Sequence, residues 1–527
     1  MKIIAKRIPW FYIFFTVYPL LFLWTTNVSE IYASEVVRPL LFSLIGSGVL
    51  IAILYACFRE IEKAAVVGTL VSVAFFSYGH VYYEARAIPA LQALSHHSTL
   101  LPIYVVLFGF GIWWVAFRVG NLKNVIKSLN IIGLLLIGAS FLQLGIYFVM
   151  TTIATNQSVS FQPGLNITTN RNALPDVYYI ILDGYMRADA LQQDLGFDNS
   201  SFIDELDKLG FYVAPCSRPN YDFTRASIAS ALNMKYIPNM PDVNTVEENS
   251  FFTIIKNNEV RRQLESVGYK TVAFQTDYPW LNFEDADVYL GLNHSTIDFQ
   301  NIYPFEAMYI NTTAAVILDA VLFKFNLEQY FKANSSVQKN DSTNLSGLSI
   351  FNQLDLQSHV NTQLFILDKL PEVPTITGPK FVYVHLMIPH YPHVFGPDGK
   401  ILTDPGFYAD GGKPVNTDYS RRGYIDGVQF VNKRIIPILQ TIIGKSKNPP
   451  IIVLQGDHGQ DGNNRYTNLN AYYLPNGDKD LYKSITPVNS FRLIFDEYFG
   501  ANYPLLPDVS HASDTIVVSE TYSDCLP

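Results

Sequence analysis

Residues 177–185 read VYYIILDGY, and the fold follows from this stretch. A short run of aromatic and β-branched residues with no polar interruption predicts a strand that is apolar on both faces. TVAFQT (271–276), FVYVHLM (381–387) and PIIVLQ (450–455) repeat the pattern further along. Helix-like stretches lie between them: SSFIDELDKLG, NEVRRQLESVGY and DGVQFVNKRIIPILQTIIG. Fully apolar strands alternating with helices predict a parallel sheet covered on both sides, an α/β domain. A polar linker at 154–174 precedes it, and a flexible insertion at 332–349 interrupts it.

The chain upstream is of another kind. Of 527 residues, 49% are hydrophobic and 16% charged, against about 25% charged in an average soluble protein. The deficit is local. Residues 1–150 carry ten Lys/Arg and five Glu, whereas 151–527 carry 27 basic and 41 acidic residues. Five apolar stretches, near 8–27, 37–57, 65–83, 100–117 and 129–150, fit the roughly 20 residues needed to cross a bilayer. Lys2, Lys6, Arg7, Arg59, Lys63, Arg118, Lys123 and Lys127 fall on one side of these spans, and only Arg38 and Arg86 on the other. That bias puts the N-terminus in the cytoplasm and everything after residue 150 outside. The expected organisation is a five-helix anchor at 1–153, the linker at 154–174 and an extracytoplasmic domain at 175–527. This composition excludes a fully soluble enzyme, a disordered chain and a disulfide-framework mini-protein. The acidic outer part excludes nucleic acid as a partner, since phosphate backbones require Lys/Arg stripes. An oxidising compartment would permit a Cys216–Cys525 bridge; two free thiols fit the count equally well.

In open α/β sheets, sites form at the carboxyl ends of strands. Asp183 ends the first strand, and Asp457 and His458 end the fourth (VLQGDHG). The third contains His385 and runs into His390 and His393 (HLMIPHYPH). Singly, such residues read as turn formers, caps or surface histidines. Together, two carboxylates and an imidazole at one sheet edge suit Zn²⁺ or Mn²⁺. The segment CSRPNYDFTRASIASALNMKY (216–236) passes from a Pro/Asn loop into a helix pattern at Thr224. A Thr there is ordinarily a cap, yet the same position offers N–H groups and a positive dipole end to an anion. Coordination to a divalent ion would turn its hydroxyl into a nucleophile at neutral pH. Ser227, one turn on, is the second candidate.

These motifs, taken in order, resemble the alkaline phosphatase/sulfatase superfamily. They are Asp183-Gly184-Tyr185, the YxxTxxSxxxxLN segment from Tyr221 to Asn233, HLMIPHYP from His385 to Pro392, Asp457 to Gly459, and Arg465 through LNAYYLP and TPVNSFR to Arg492. With the apolar anchor, the chain looks like the membrane branch that contains lipoteichoic acid synthases and phosphoethanolamine transferases. The resemblance covers roughly residues 175–500. It implies an alkaline-phosphatase-like α/β domain, with a largely parallel sheet flanked by helices, behind an all-α bundle of five transmembrane helices. It implies one divalent ion, Mn²⁺ or Zn²⁺, held by Asp183, Thr224, Asp457 and His458, with Thr224 also the nucleophile. His390 would meet the transferred group or the leaving oxygen, and His385 and Arg465 would contact substrate. Ligands for a second ion are not evident, with His393 and His511 the remaining candidates. The sulfatase pattern Cys-x-Pro-x-Arg is absent, because Cys216 is followed by Ser217, Arg218 and Pro219. The implied function is transfer of a phospho-head group from a membrane phospholipid to a surface glycan through a phosphothreonine intermediate, at the bacterial inner membrane. A hydrolase of the phosphodiesterase, phosphatase or sulfatase-like kind, using water as acceptor, is the alternative within enzymes. A non-catalytic membrane scaffold is the alternative outside them.

Overall fold

The computed structural model describes residues 9–28, 31–94, 96–156, 174–237, 248–292, 304–317, 350–408, 416–460, 463–475 and 480–511. Two compact units divide the chain.

The first unit contains five helices from the N-terminal part: α1 (Trp10–Thr26), α2 (Ala33–Phe58), α3 (Ile61–Ala87), α4 (His97–Phe117) and α5 (Lys123–Asn156). Among the described residues, α2 to α5 are long and apolar enough to cross a membrane, and α1, at 17 residues, is shorter. Phe42, Ile45, Val106, Leu107, Leu135 and Leu142 are exposed on these helices. An apolar exterior of this extent suits hydrocarbon rather than water. The chain is a multi-pass membrane protein.

One part of the expected organisation differs. The helix Pro304–Thr312 belongs to this first unit and not to the downstream domain. Side-chain chemistry explains why. Glu306 pairs with Arg38 of α2, Glu35 accepts the Phe305 N–H at 3.2 Å, and the Ser43 and Tyr309 hydroxyls meet at 2.9 Å. The Ala314 N–H, just beyond the helix, reaches the Phe75 carbonyl at 2.7 Å. The expected linker lies mostly outside the described residues, as does the insertion at 332–349.

The second unit is built on a seven-stranded sheet: β1 (Val177–Leu182), β2 (Tyr212–Val213), β3 (Lys270–Phe274), β4 (Val288–Leu290), β5 (Lys380–Leu386), β6 (Ile451–Gln455) and β7 (Asn470–Tyr473). Their order is β2-β7-β6-β1-β5-β3-β4. Pairs among β6, β1, β5, β3 and β4 are parallel, while β7 runs antiparallel to both β6 and β2. The expected α/β class with a largely parallel sheet is therefore observed. Every residue of β1 is buried, and each large apolar side chain there stabilises the fold by about 1.5–3 kcal/mol. Tyr179, Ile181, Tyr383 and Val453 join one continuous core with Ile228 and Leu232 of the helix Thr224–Asn233 and Phe491 and Ile494 of the helix Pro487–Phe499. With β1 central, its carboxyl end and that of β6 open on the same edge.

Candidate metal centre

Asp183 follows β1 directly, and its own N–H still bonds to the Leu386 carbonyl of β5 at 2.8 Å. Gly184 then turns the chain with φ +70°, a conformation that favours glycine. The turn aims the Gly184 N–H at Asp457 Oδ1, 2.9 Å away. Tyr424 pins the same turn, its hydroxyl donating to the Gly184 carbonyl at 2.8 Å and accepting the Met186 N–H at 3.0 Å. On the β6 side, a Cβ at Gly456 would stand 2.3 Å from the Tyr185 carbonyl oxygen, so only glycine lets the two turns approach. Asp457 and His458 follow at once.

These turns bring Asp183, Asp457 and His458 together, with ligand atoms all within 4.8 Å of one another. His458 Nε2 lies 3.8 Å from Asp183 Oδ1 and 3.5 Å from Asp457 Oδ2. Its Nδ1–H donates to the Gly459 carbonyl at 2.7 Å, which leaves Nε2 with the lone pair. Asp183 Oδ1 and Asp457 Oδ2 are buried without a hydrogen-bond partner. Two orphaned carboxylate oxygens at one point would be costly. Such spacings suit a divalent ion whose ligand bonds are about 2.0–2.2 Å, so the residues fit the implied metal. Burial alone would raise the Asp183 carboxyl. The His390, His385 and His458 rings around it outweigh burial and hold it below the usual carboxylate range.

Thr224 is the first residue of its helix, and the preceding Phe223 is the cap position. Its hydroxyl does not cap the helix: Oγ1 lies 3.1 Å from His458 Nε2 and is half-buried. Ser227, the other candidate, is buried and donates to the Tyr221 carbonyl at 2.8 Å. The loop before Thr224 is fixed by Asn220, whose amide donates to Thr486 Oγ1 and the Val509 carbonyl and accepts the Val488 N–H. The TPVNSFR stretch thus serves to hold the segment before Thr224.

His390 is half-buried beside this group, its N–H on the Asp183 carbonyl at 3.2 Å and its ring centroid 6.3 Å from that of His458. Nδ1–H donates to the Tyr391 carbonyl at 2.7 Å. Register pairs His385 with Ile181, the ring has no exposed surface, and Nε2 donates to Asp183 Oδ2 at 3.0 Å. A ring so enclosed braces a carboxylate. Arg465 is half-buried, donates to the Asp222 carbonyl and accepts the Gly459 N–H on its own carbonyl, tying the Asp-His-Gly turn to the loop before Thr224. His393 and His511 are both buried and stand outside the three-residue group, which is the one such group among the described residues. His511 instead stacks on Tyr221. Cys216 is disulfide-bonded and Cys57 is free, while Cys525 lies outside the described residues.

Sequence reasoning missed Gly184, Tyr424 and Asn220 as supports. A Gly after an apolar strand was the one signal present. Nothing local marks Tyr424 or Asn220, whose partners lie up to 289 positions away.

Comparison with solved structures finds remote similarities. The chain is similar to the integral membrane lipooligosaccharide phosphoethanolamine transferase A (EptA) of Neisseria meningitidis, at 11% identity and TM-score 0.39 over 93% of this chain and 99% of that one. It is similar to the C-terminal periplasmic domain of EptC from Escherichia coli in complex with Zn, at 12% identity and TM-score 0.38 over 65% of this chain and 87% of that one. A phosphonate monoester hydrolase of Silicibacter pomeroyi is similar at 14% identity and TM-score 0.36 over 63% and 74%. No family model matches the chain, and no curated protein does. At these identities and scores the reading of the site rests on its own geometry.

Proposed function

We propose that this chain is a membrane-anchored, metal-dependent enzyme that transfers a phospho-head group from a membrane phospholipid to a surface glycan, through phosphothreonine at Thr224. One observation carries the reading: two buried, unpartnered carboxylate oxygens and His458 Nε2 converge on a point beside a half-buried Thr hydroxyl at a helix N-terminus. Asp183, Asp457, His458 and Thr224 would hold the ion, Mn²⁺ or Zn²⁺. When bound, it lowers the pKa of the Thr224 hydroxyl and offsets phosphate charge.

The remaining chemistry belongs to the chain. Thr224 Oγ1 forms a bond to phosphorus, the bond to the lipid alcohol breaks, and His390 gives the departing oxygen its proton. An acceptor hydroxyl then displaces Thr224 from phosphorus and returns a proton to His390. The first N–H groups of the Thr224 helix favour the anionic group being transferred. Arg465, beside the nucleophile loop, contributes a fixed positive charge. The anchor keeps the site near a lipid donor, a gain in proximity that a soluble enzyme lacks. The lysines and arginines flanking the spans support a cytoplasmic N-terminus and an extracytoplasmic catalytic domain. The disulfide at Cys216 supports the same orientation, because such bonds persist in oxidising compartments.

The test uses the full-length protein in detergent with head-group-labelled phospholipids. Label passing to added glycan supports the transferase. Label released as free phospho-head group at the same rate without glycan assigns water as the acceptor. Undiminished turnover in Thr224→Ala would overturn the nucleophile, and a protein that retains no metal would favour the scaffold.

A further inference from the structure

A second polar cluster lies behind the segment that bears His390. Asp277 follows β3, and His359 and Gln363 lie one turn apart on the helix Ile350–Lys369. Asp277 Oδ2 accepts two hydrogen bonds, from His359 Nδ1–H at 2.6 Å and from Gln363 Nε2–H at 2.9 Å. Gln363, fully buried, turns its Oε1 to the Met387 N–H at 2.8 Å, at the residue where β5 has just ended. Asp277 is itself held, since the neighbouring Thr276 bonds through N–H and hydroxyl to Asn282.

One carboxylate therefore reaches the start of residues 387–393, through Gln363 to the Met387 N–H. His390 lies three residues on, in a stretch with no helix or strand of its own. A general acid must come within about 2.6–3.2 Å of the oxygen it serves, and a displacement of about 1 Å can cost 100-fold in rate.

We propose that Asp277 is a positioning residue that, with His359 donating to it, holds Gln363 on the Met387 N–H, anchors the start of residues 387–393 and so aims His390 at the leaving oxygen. The inference rests on the reading of His390 as the acid, and two readouts keep the two ideas separable.

The first readout needs no substrate. Hydrogen–deuterium exchange of full-length Asp277→Ala is expected to be about tenfold or more faster in the peptide covering 387–393. Exchange in the Thr224 helix and the metal content stay unchanged. Asp277→Asn, which keeps an acceptor oxygen for both donors, restores protection. Gln363→Met removes the bond to the Met387 N–H directly and speeds exchange there, which gives a second variant if Asp277→Ala does not fold. Unchanged protection, or a rise spread over the whole domain, overturns the clamp.

The second readout compares two esters of ethanolamine phosphate, with 4-nitrophenyl or octyl leaving groups. A 4-nitrophenolate departs without a proton, whereas an alkoxide needs one. Asp277→Ala is expected to lose about tenfold or more in kcat on the octyl ester and less than about threefold on the nitrophenyl ester, with KM unchanged. Equal losses on both overturn the proposal. If His390→Gln also shows equal losses, the acid role of His390 has failed, and the clamp is then judged on the exchange data alone.

Discussion

Thr224 Oγ1 lies 3.1 Å from His458 Nε2, although 234 positions separate the two residues. The contact selects between two hydroxyls on one helix, because Ser227 Oγ points the other way, to the Tyr221 carbonyl. Thr224→Ala is expected to reduce turnover by about 1,000-fold or more, the scale seen when a nucleophile is removed. Ser227→Ala should keep kcat. It leaves a buried carbonyl unpaired and lowers stability by about 1–3 kcal/mol, read as a fall in the apparent Tm.

His385 distinguishes support from substrate contact. Its Nε2–H holds Asp183 Oδ2 at 3.0 Å from a fully buried position. Loss of such an outer partner typically weakens metal affinity by about 10–100-fold. His385→Phe should therefore raise the dissociation constant for the ion by that factor in a chelator-competition titration. KM for the lipid, measured at saturating metal, should not change. A raised KM with unaltered metal affinity would restore the substrate role.

The carboxylates themselves make a sharper case. Asp183→Asn and Asp457→Asn each remove one of the orphaned anionic oxygens. Each variant, purified after brief exposure to chelator, is expected to retain less than about a tenth of the wild-type metal by elemental analysis. Both should still fold, because replacing a buried unpaired charge by an amide relieves repulsion in the metal-free state.

Burial, and then the neighbouring His390, pushes the His393 imidazole down to about 3. In the unfolded chain it titrates near 6.5. Stability from this residue is thus fully present above the unfolded value. It declines as pH falls, because the unfolded chain takes up a proton that the folded one refuses. The slope is up to about 1.4 kcal/mol per pH unit between those limits. From pH 6.5 to 5, wild type should lose about 2 kcal/mol more than His393→Gln. Thermal melts at the two pH values measure it.

Gly456 tests the close approach that assembles the site. A methyl group there would meet the Tyr185 carbonyl oxygen at 2.3 Å, and backbone cannot yield as a flexible side chain does. Gly456→Ala is expected to cost about 1–3 kcal/mol and to lower metal retention as well. Gly444→Ala, where a Cβ meets nothing within 4 Å, serves as the control.

What could be read in the sequence follows from how local the physics is. VYYIIL, FVYVHL and IIVLQ announced buried strands because parallel strands inside a sheet must be apolar on both faces. β2, β4 and β7 went unread, as two to four residues carry no periodicity. The apolar spans were legible from length alone. The helix Pro304–Thr312 went unread, and nothing near Glu306 reveals that its partner is Arg38.

By itself the sequence determined the α/β class, the membrane-spanning character and which Asp and His residues stand at the strand ends. Each depends on composition or on spacings of a few residues. Only the tertiary structure decided which hydroxyl faces His458, that His385 braces Asp183, and that Asp277 reaches the His390 segment. Those relationships are set by strand register, turn packing and side-chain hydrogen bonds between distant segments. The groups involved lie tens to hundreds of positions apart, beyond the range of any local pattern.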